Sequence, residues 1–364
     1  MKRILFIADH RPDRSPGQRY RFEQYFDVLQ RHGFQCTLSY VLNAEDDRIF
    51  YRPGNYLRKA FIVAKSFWVR WCDWKKRSDY DIIFIFRNCV LTGSLYFEKK
   101  WVGSGKPIVF DFDDAIWKND TSAANRMFGW LKRPEKINYT LQHSRIILAG
   151  NAYLAKYASQ FNSNVMVIPT TIDMDQYQVN RSAPNKDQIV IGWTGSITTI
   201  KHFVWARPSL LEIKKKYGNK VRFVVIGDEQ FIDRELDIQG QKWYAATEAQ
   251  DLCEVDIGIM PLPDDEWTQG KCGLKGLQYM ALGIPPVLSP VGVNKTIIQH
   301  GVNGLLASQM EDWTAALSLL IEDGELRRRL GEQARKTVTT YYSKASWEKA
   351  YVEVFDQLTK LDKS

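Results

Sequence analysis

One stretch in the second half of the chain, Gly270 to Gly283, limits the possible folds more than any other. It reads Gly-Lys-Cys-Gly-Leu-Lys-Gly-Leu-Gln-Tyr-Met-Ala-Leu-Gly and continues Ile-Pro-Pro-Val-Leu-Ser-Pro-Val-Gly-Val-Asn. Leu274, Leu277, Met280 and Ala281 recur at helical spacing, which predicts a helix from Leu274 to Leu282. Gly270, Cys272 and Gly273 precede it in a loop whose backbone can come close to a ligand. Gly283 ends it as a left-handed cap, and Val287 and Leu288 follow as a short buried strand. A glycine-rich loop that opens a helix is an anion site, because unpaired N–H groups and the helix dipole point at the ligand. Lys271, Lys275 and Gln278 fall four and three residues apart and so share a face. Two ammonium groups and an amide suit a diphosphate and a sugar hydroxyl. A helix with a solvated basic edge would give the same pattern.

Composition fits two domains rather than one. The chain has 364 residues, 45% of them apolar, enough for two cores and too many for a disordered polymer. Its five cysteines form no Cys-x-x-Cys pair, which favours a reducing compartment and gives no zinc motif. The sequence opens Met-Lys-Arg and enters a strand at once, so no signal peptide is expected. No run reaches the roughly 18 apolar residues of a membrane span. The expected location is cytoplasmic, peripheral at the inner face of the membrane.

Strand and helix signals alternate along the chain. Arg3 to Ala8 reads as a buried strand, 9–17 as a loop and Arg19 to Arg31 as a helix, the opening of a Rossmann-like unit. Strands follow at Phe34 to Tyr40, Asp81 to Phe86, Ile108 to Asp111, Arg145 to Ala149 and Val165 to Ile168. Arg87 and the run Asp111-Phe112-Asp113-Asp114 sit at carboxyl ends of strands, where open α/β sheets place ligands. The Asp-x-Asp run reads as a metal site, and it also resembles the nucleophile loop of haloacid-dehalogenase-like phosphatases. Residues 174–187 are polar and read as a linker. A second alternation begins with the strand Ile189 to Trp193, the turn Thr194-Gly195-Ser196, and a helix from Lys201 to Tyr217. Strands at Val221 to Ile226 and Ile257 to Met260 lead into the Gly270 stretch. Helices from Glu311 to Thr340, punctuated by Gly324 and Gly331, precede a last helix from Ser343 to Leu361.

Residues 48–77 stand apart. Nine cations, Arg48, Arg52, Arg58, Lys59, Lys65, Arg70, Lys75, Lys76 and Arg77, face one acid, Asp73, a balance of +8 that equals the formal charge of the whole chain. Phe61, Phe67, Trp68, Trp71 and Trp74 lie among them. A basic and aromatic amphipathic helix suits an anionic membrane surface. Nucleic acid is the rival partner of a basic patch, and no recognition motif supports it.

The Gly270 stretch resembles retaining glycosyltransferases of family 4, which have two Rossmann-like domains (the GT-B fold). Those enzymes carry a Gly-Leu step, Leu-Glu-Ala-Met-Ala-x-Gly-x-Pro-Val-Val and a later Gly-x-x-Gly-Leu. Gly273-Leu274, the run from Leu277 to Val287, and Gly301-Val302-Asn303-Gly304-Leu305 are similar to these. Gly270 and Gln278 stand where the family has two glutamates. A glutamine can still hold a ribose hydroxyl but carries no charge, so an acidic role would move to Asp264, Asp265 or Glu266. Pro169-Thr170-Thr171-Ile172-Asp173 is similar to the segment that closes the family's first domain. Gly195 and Lys201 match its phosphate-binding positions, with Ser196 in place of arginine. Asp113-Asp114 falls at its His-Asp pair.

The resemblance implies an α/β protein of two Rossmann-like domains facing across a cleft. The expected division is an acceptor-side domain 1–173, the linker 174–187, a nucleotide-sugar domain 188–342 and a C-terminal helix 343–364 that crosses back to the first domain. The implied reaction moves a sugar from a nucleotide-sugar to an acceptor hydroxyl with retention of configuration, without metal or cofactor. Cell-surface polysaccharide or glycolipid synthesis, with a glycan or lipid-linked acceptor, is the expected setting. Asp113, Lys201 and Lys275 are the candidate catalytic residues. Gly195, Ser196, Lys201, Lys271, Gly273, Leu274, Lys275 and Gln278 would bind the donor. Gly17, Arg19, Arg21, Arg87 and Asp114 would meet the acceptor. Two other classes stay open: a magnesium-dependent phosphotransferase using Asp111 and Asp113, and a non-catalytic binding protein of the same fold.

Overall fold

A computed structural model describes residues 1–52, 54–118, 133–178, 188–196 and 198–361. Most of the expected linker, from residue 179 onward, lies outside the described residues. The chain forms two compact units, Met1–Thr170 with Trp347–Ser364, and Thr171–Ser346.

Six parallel strands build the first unit: β1 (Lys2–Ile7), β2 (Phe34–Ser39), β3 (Ile82–Phe86), β4 (Ile108–Phe112), β5 (Ile146–Ala149) and β6 (Val165–Val167). Their order is β2-β1-β3-β4-β5-β6. β3, β4 and β5 are buried at every position, which is why they read as unbroken apolar runs rather than alternating ones. The strand order reverses direction between β1 and β3, and the carboxyl ends on either side of such a switch point border a ligand crevice. The expected single helix at 19–31 is instead three pieces, Pro16–Arg21, Glu23–Tyr25 and Phe26–Arg31. The first begins earlier because Pro16 supplies a ready-made helical φ at its first position. The last helix, Lys344–Leu361, returns to this unit: Tyr351, Val354, Phe355 and Leu358 join the core of Phe6, Phe22 and Phe84. Tyr351 stacks on Tyr25 with centroids 4.1 Å apart.

The second unit repeats the plan with β7 (Ile189–Thr194), β8 (Val221–Ile226), a hairpin of β9 (Ile232–Asp233) and β10 (Ile238–Gln239), β11 (Ile257–Met260), β12 (Pro286–Leu288) and β13 (Leu305–Leu306). The order β13-β12-β11-β7-β8 places its switch point between β7 and β11. Tyr279 ties that point together: its buried hydroxyl accepts the Thr194 N–H at 2.9 Å and donates to the Ile259 carbonyl at 3.2 Å. Two expectations change here. Lys201 lies in a 3-10 turn, Ile200–Trp205, and the α-helix begins only at Arg207, where Pro208 fixes its first turn. Gly331 lies inside the helix Gly324–Thr337 rather than ending one. A Cβ there would come within 2.1 Å of the Gly283 carbonyl oxygen, so the glycine allows two backbones to touch.

Candidate functional site

In the second unit the candidate donor residues gather at the carboxyl ends of β7 and β11. The helix predicted over Leu274 to Leu282 is present as Leu274–Ala281, and Gly273 caps it with φ 71°. Lys275, in its first turn, extends back toward β7. Its Nζ lies 5.1 Å from the centre of the Trp193 ring. A Cβ on Gly195 would approach Lys275 Cε to 2.7 Å and Thr199 Oγ1 to 2.7 Å, so any side chain there would collide with both. Ser196 continues the turn, its N–H donating to Thr199 Oγ1 at 3.0 Å.

Lys271 is not on the helix. It precedes the first helical residue by three positions, because the loop through Cys272 and the left-handed Gly273 intervenes. Helical spacing therefore does not set its direction, and its ammonium rests 5.1 Å over the Trp267 ring. The charges of Lys275, Lys271 and Lys201 nonetheless act on one buried side chain, His202. Burial, reinforced by those three ammonium groups, pushes the His202 pKa down to about 4. His202 Nε2 is buried and has no hydrogen-bond partner. The summed charge of these three lysines, opposed in part by Asp265, forms a field that favours a polyanion. Nothing in the sequence points to His202, since a lone histidine between Lys201 and Phe203 carries no spacing signal.

Gln278 is 3% exposed, and its Nε2 donates to the Tyr177 hydroxyl at 3.0 Å. Tyr177 donates onward to Glu248, which also accepts from Trp243 Nε1 at 2.7 Å. The amide is thus held inside a buried polar chain, not on a shared open face with Lys271 and Lys275. Of the acids considered as replacements for the family glutamates, Asp265 caps the short helix Glu266–Gln269 and Asp264 accepts from Gln269 Nε2. Glu266 is exposed at that helix's start.

In the first unit, Arg87 stands just beyond β3 in the left-handed region, at φ 64°. Its N–H donates to the Asp111 carbonyl at 2.9 Å. Nε reaches Asp113 Oδ1 at 2.7 Å and an outer nitrogen reaches Asp114 Oδ2 at 2.7 Å. Burial opposes the charge on Arg87, but Asp113 and Asp114 outweigh it and hold the guanidinium above its ordinary pKa. A Cβ on Gly17 would sit 2.9 Å from Asp113 Oδ2 and 3.3 Å from the Arg87 guanidinium. Gly17, Arg87, Asp113 and Asp114 therefore form one cluster at the switch point, and the side chain of Arg87 remains 30% exposed there.

Arg21 does not join that cluster. Its side chain is fully buried, with Nε and an outer nitrogen donating to the two Asp111 oxygens at 3.0 and 2.8 Å and the other to the Ile168 carbonyl. An anionic acceptor cannot reach it. Arg19 is largely buried, stacked 5.1 Å over Tyr20 and 3.6 Å from Asp13. Asp111 and Asp113 do not converge as an Asp-x-Asp metal site, since Arg21 takes one and Arg87 the other. Among the described residues no group of three or more His, Cys, Asp or Glu side chains is placed to hold a metal.

Residues 188–323 match a family described as Glycosyl transferases group 1. No curated protein matches the chain by sequence. Among solved structures, the chain is similar to the sucrose-phosphate synthase of Thermosynechococcus elongatus, with TM-score 0.72 and 11% identity over 99% of this chain and 100% of that one. It is similar to Anabaena HepE, solved in complex with UDP and glucose, with TM-score 0.67 and 14% identity over 98% and 100%. A third is the lipopolysaccharide outer core galactosyltransferase WaaB, with TM-score 0.62 and 16% identity over 98% and 99%. The fold is that of the GT-B glycosyltransferases.

Proposed function

We propose that the protein is a glycosyltransferase that moves a sugar from a nucleoside-diphosphate donor, UDP-linked as in the Anabaena structure, to an acceptor hydroxyl. The observation that carries this reading is Lys275 held against Gly195 and over Trp193 at the end of β7, inside the segment that matches the glycosyl transferase family, with the charges of Lys271 and Lys201 acting beside it on His202. In the reaction the bond from the anomeric carbon to the diphosphate breaks and a bond to the acceptor oxygen forms. The hydroxyl proton leaves toward a phosphate oxygen or solvent. Negative charge grows on the departing diphosphate, and preorganised cations at that position lower the barrier most. Lys201 and Lys275 carry that role, with the N–H groups of Gly273 and Leu274 at the helix start. Gln278 borders the ribose side, positioned through Tyr177 in place of a glutamate. Asp113, Asp114 and Arg87 form the acceptor-side cluster with Gly17. Retention of configuration and independence from metal belong to this proposal, as does an acceptor that is a glycan or a lipid-linked glycan.

The phosphotransferase alternative needs Asp111 or Asp113 as an open nucleophile. Asp111 is 0% exposed and bound at both oxygens by Arg21, which leaves it no approach. The non-catalytic alternative is decided by turnover. Incubating the full chain with a panel of UDP-sugars and oligosaccharide or lipid-linked acceptors should release UDP only with a matched pair. Binding of UDP without release from any pair would support a non-catalytic partner instead.

A further inference from the structure

The helix Tyr56–Lys75 is turned inside out relative to a helix of a water-soluble core. Its buried face carries Lys59, Ile62, Ser66 and Arg70. Its outer face carries Leu57, Phe61, Ala64, Trp68 and Trp71, with Leu57 90%, Phe61 70%, Trp68 66% and Trp71 39% exposed. At about 100° per residue these five positions lie within about 80° of one another, along roughly 20 Å of helix axis. They form one continuous apolar stripe.

The inward polar face fixes this orientation. Arg70 donates to the carbonyls of Cys89 and Ala8, each at 2.7 Å, to Ser39 Oγ at 2.6 Å and to Asp73 at 3.0 Å. Rolling the helix to hide its apolar stripe would strip a buried charge of those acceptors, at a cost of several kcal/mol. The stripe therefore stays outward. Exposed cations stand at both ends: Arg48, Arg52 and Arg58 at the start, and Lys75, Lys76 and Arg77 at the finish. Beside it, Lys100 rests about equally over Trp71, Trp74 and the half-exposed Tyr96. Trp74 turns inward onto Trp101, 5.4 Å away, so only two of the three tryptophans serve the outer face.

We propose that this face docks on an anionic bilayer, with the helix lying in the plane of the headgroups. Leu57, Phe61 and Trp68 enter the acyl boundary. Trp71 and Tyr96 sit at headgroup level, and the terminal cations meet lipid phosphates. Charge decides between lipid and a second copy of the chain. The helix carries one acid, Asp73, which Arg70 and Ser39 already hold. Pairing two such helices in parallel would set Lys75, Lys76 and Arg77 against themselves. Antiparallel pairing would set them against Arg48, Arg52 and Arg58. An anionic surface satisfies both ends at once. Among the described residues no helix is long and apolar enough to cross a membrane, so the helix lies on the surface. Docking is independent of sugar transfer and is read without turnover.

The test is co-sedimentation of the full chain with neutral phosphatidylcholine vesicles and with vesicles containing anionic phosphatidylglycerol, at low and high salt. The wild-type chain should bind the anionic vesicles and retain part of that binding at high salt through the apolar stripe. Phe61→Ser with Trp68→Ser, both on exposed positions, should weaken binding at least tenfold at either salt with thermal unfolding unchanged. Lys75→Gln, Lys76→Gln and Arg77→Gln together should weaken it at low salt only, since the Debye length shrinks as salt is added. Absence of wild-type binding to anionic vesicles, or binding unchanged in the Phe61 and Trp68 double variant, overturns the proposal. So does a dimer that the double variant abolishes, if the wild type ignores vesicles.

Discussion

The ammonium of Lys275 lies 5.1 Å from the centre of the Trp193 ring, which joins the first turn of the helix Leu274–Ala281 to the end of β7. The indole is 1% exposed and rigid, so the cation is held where the strand stops and Gly195 opens the turn. A cation–π contact of this kind is worth about 0.5–2 kcal/mol, enough to bias a long flexible side chain toward one position before any ligand arrives. Lys275→Ala should slow sugar transfer by about a hundredfold, the scale of one lost charge-stabilising donor. Steady-state kinetics check this, and unchanged rates would return Lys275 to a solvated edge.

His202 supplies a pH prediction. Its folded pKa of about 4 lies below the ordinary histidine value, through burial first and then Lys275, Lys271 and Lys201. The unfolded chain takes up the proton first as pH falls, so His202 supports the fold fully above about pH 6.5 and loses that support between there and 4. His10 at the end of β1, also held near 4 by burial, acts in the same sense. Urea unfolding of His202→Asn should show a shallower loss of stability from pH 7 to 5 than the wild type. A diphosphate bound beside His202 should raise its pKa, so binding at pH 5.5 should take up protons. Equal binding heats in buffers of different ionisation enthalpy would contradict that.

Much of the two-unit plan was legible because parallel strands buried on both faces read as apolar runs, and the helix at Leu274 announced itself by period and flanking glycines. The site was legible only in part. Gly195, Arg87, Asp113 and Asp114 stood at strand ends, where topology alone raises their rank, while Lys275 stood out by its register on the Gly270 helix and Lys201 by the family resemblance. His202 and the Gln278–Tyr177–Glu248 chain depend on contacts between distant segments that no local pattern encodes. Arg21 misled for the opposite reason. A cation near a loop looks solvent-facing until its partner, Asp111, 90 residues away, is known. Arg70 shows the same limit, since its acceptors lie on Ala8, Ser39, Asp73 and Cys89, in separate segments.

Arg21 and Asp111 give a stability prediction. Arg21→Ala leaves a buried carboxylate unpaired and should cost about 3–5 kcal/mol. Arg21→Met with Asp111→Leu should recover most of that loss in urea unfolding, because the uncompensated charge is gone. A double variant as weak as the single one would show that Arg21 serves something other than this pair.

Metal independence is tested with chelator. Sugar transfer should persist after EDTA treatment, since the proposed mechanism has Lys201 and Lys275 meet the diphosphate. Activity lost with chelator and restored by magnesium or manganese would move charge stabilisation from the lysines to an ion.

Isothermal titration of UDP into the full chain and into Lys275→Ala, with ionic strength held fixed, tests whether the lysines acting on His202 hold a nucleoside diphosphate. The wild type should show one saturable site per chain, weakened by tenfold or more in the variant while its unfolding midpoint stays unchanged. Equal affinity in both proteins, or no saturable binding of UDP or any other nucleoside diphosphate to the wild type, would contradict it.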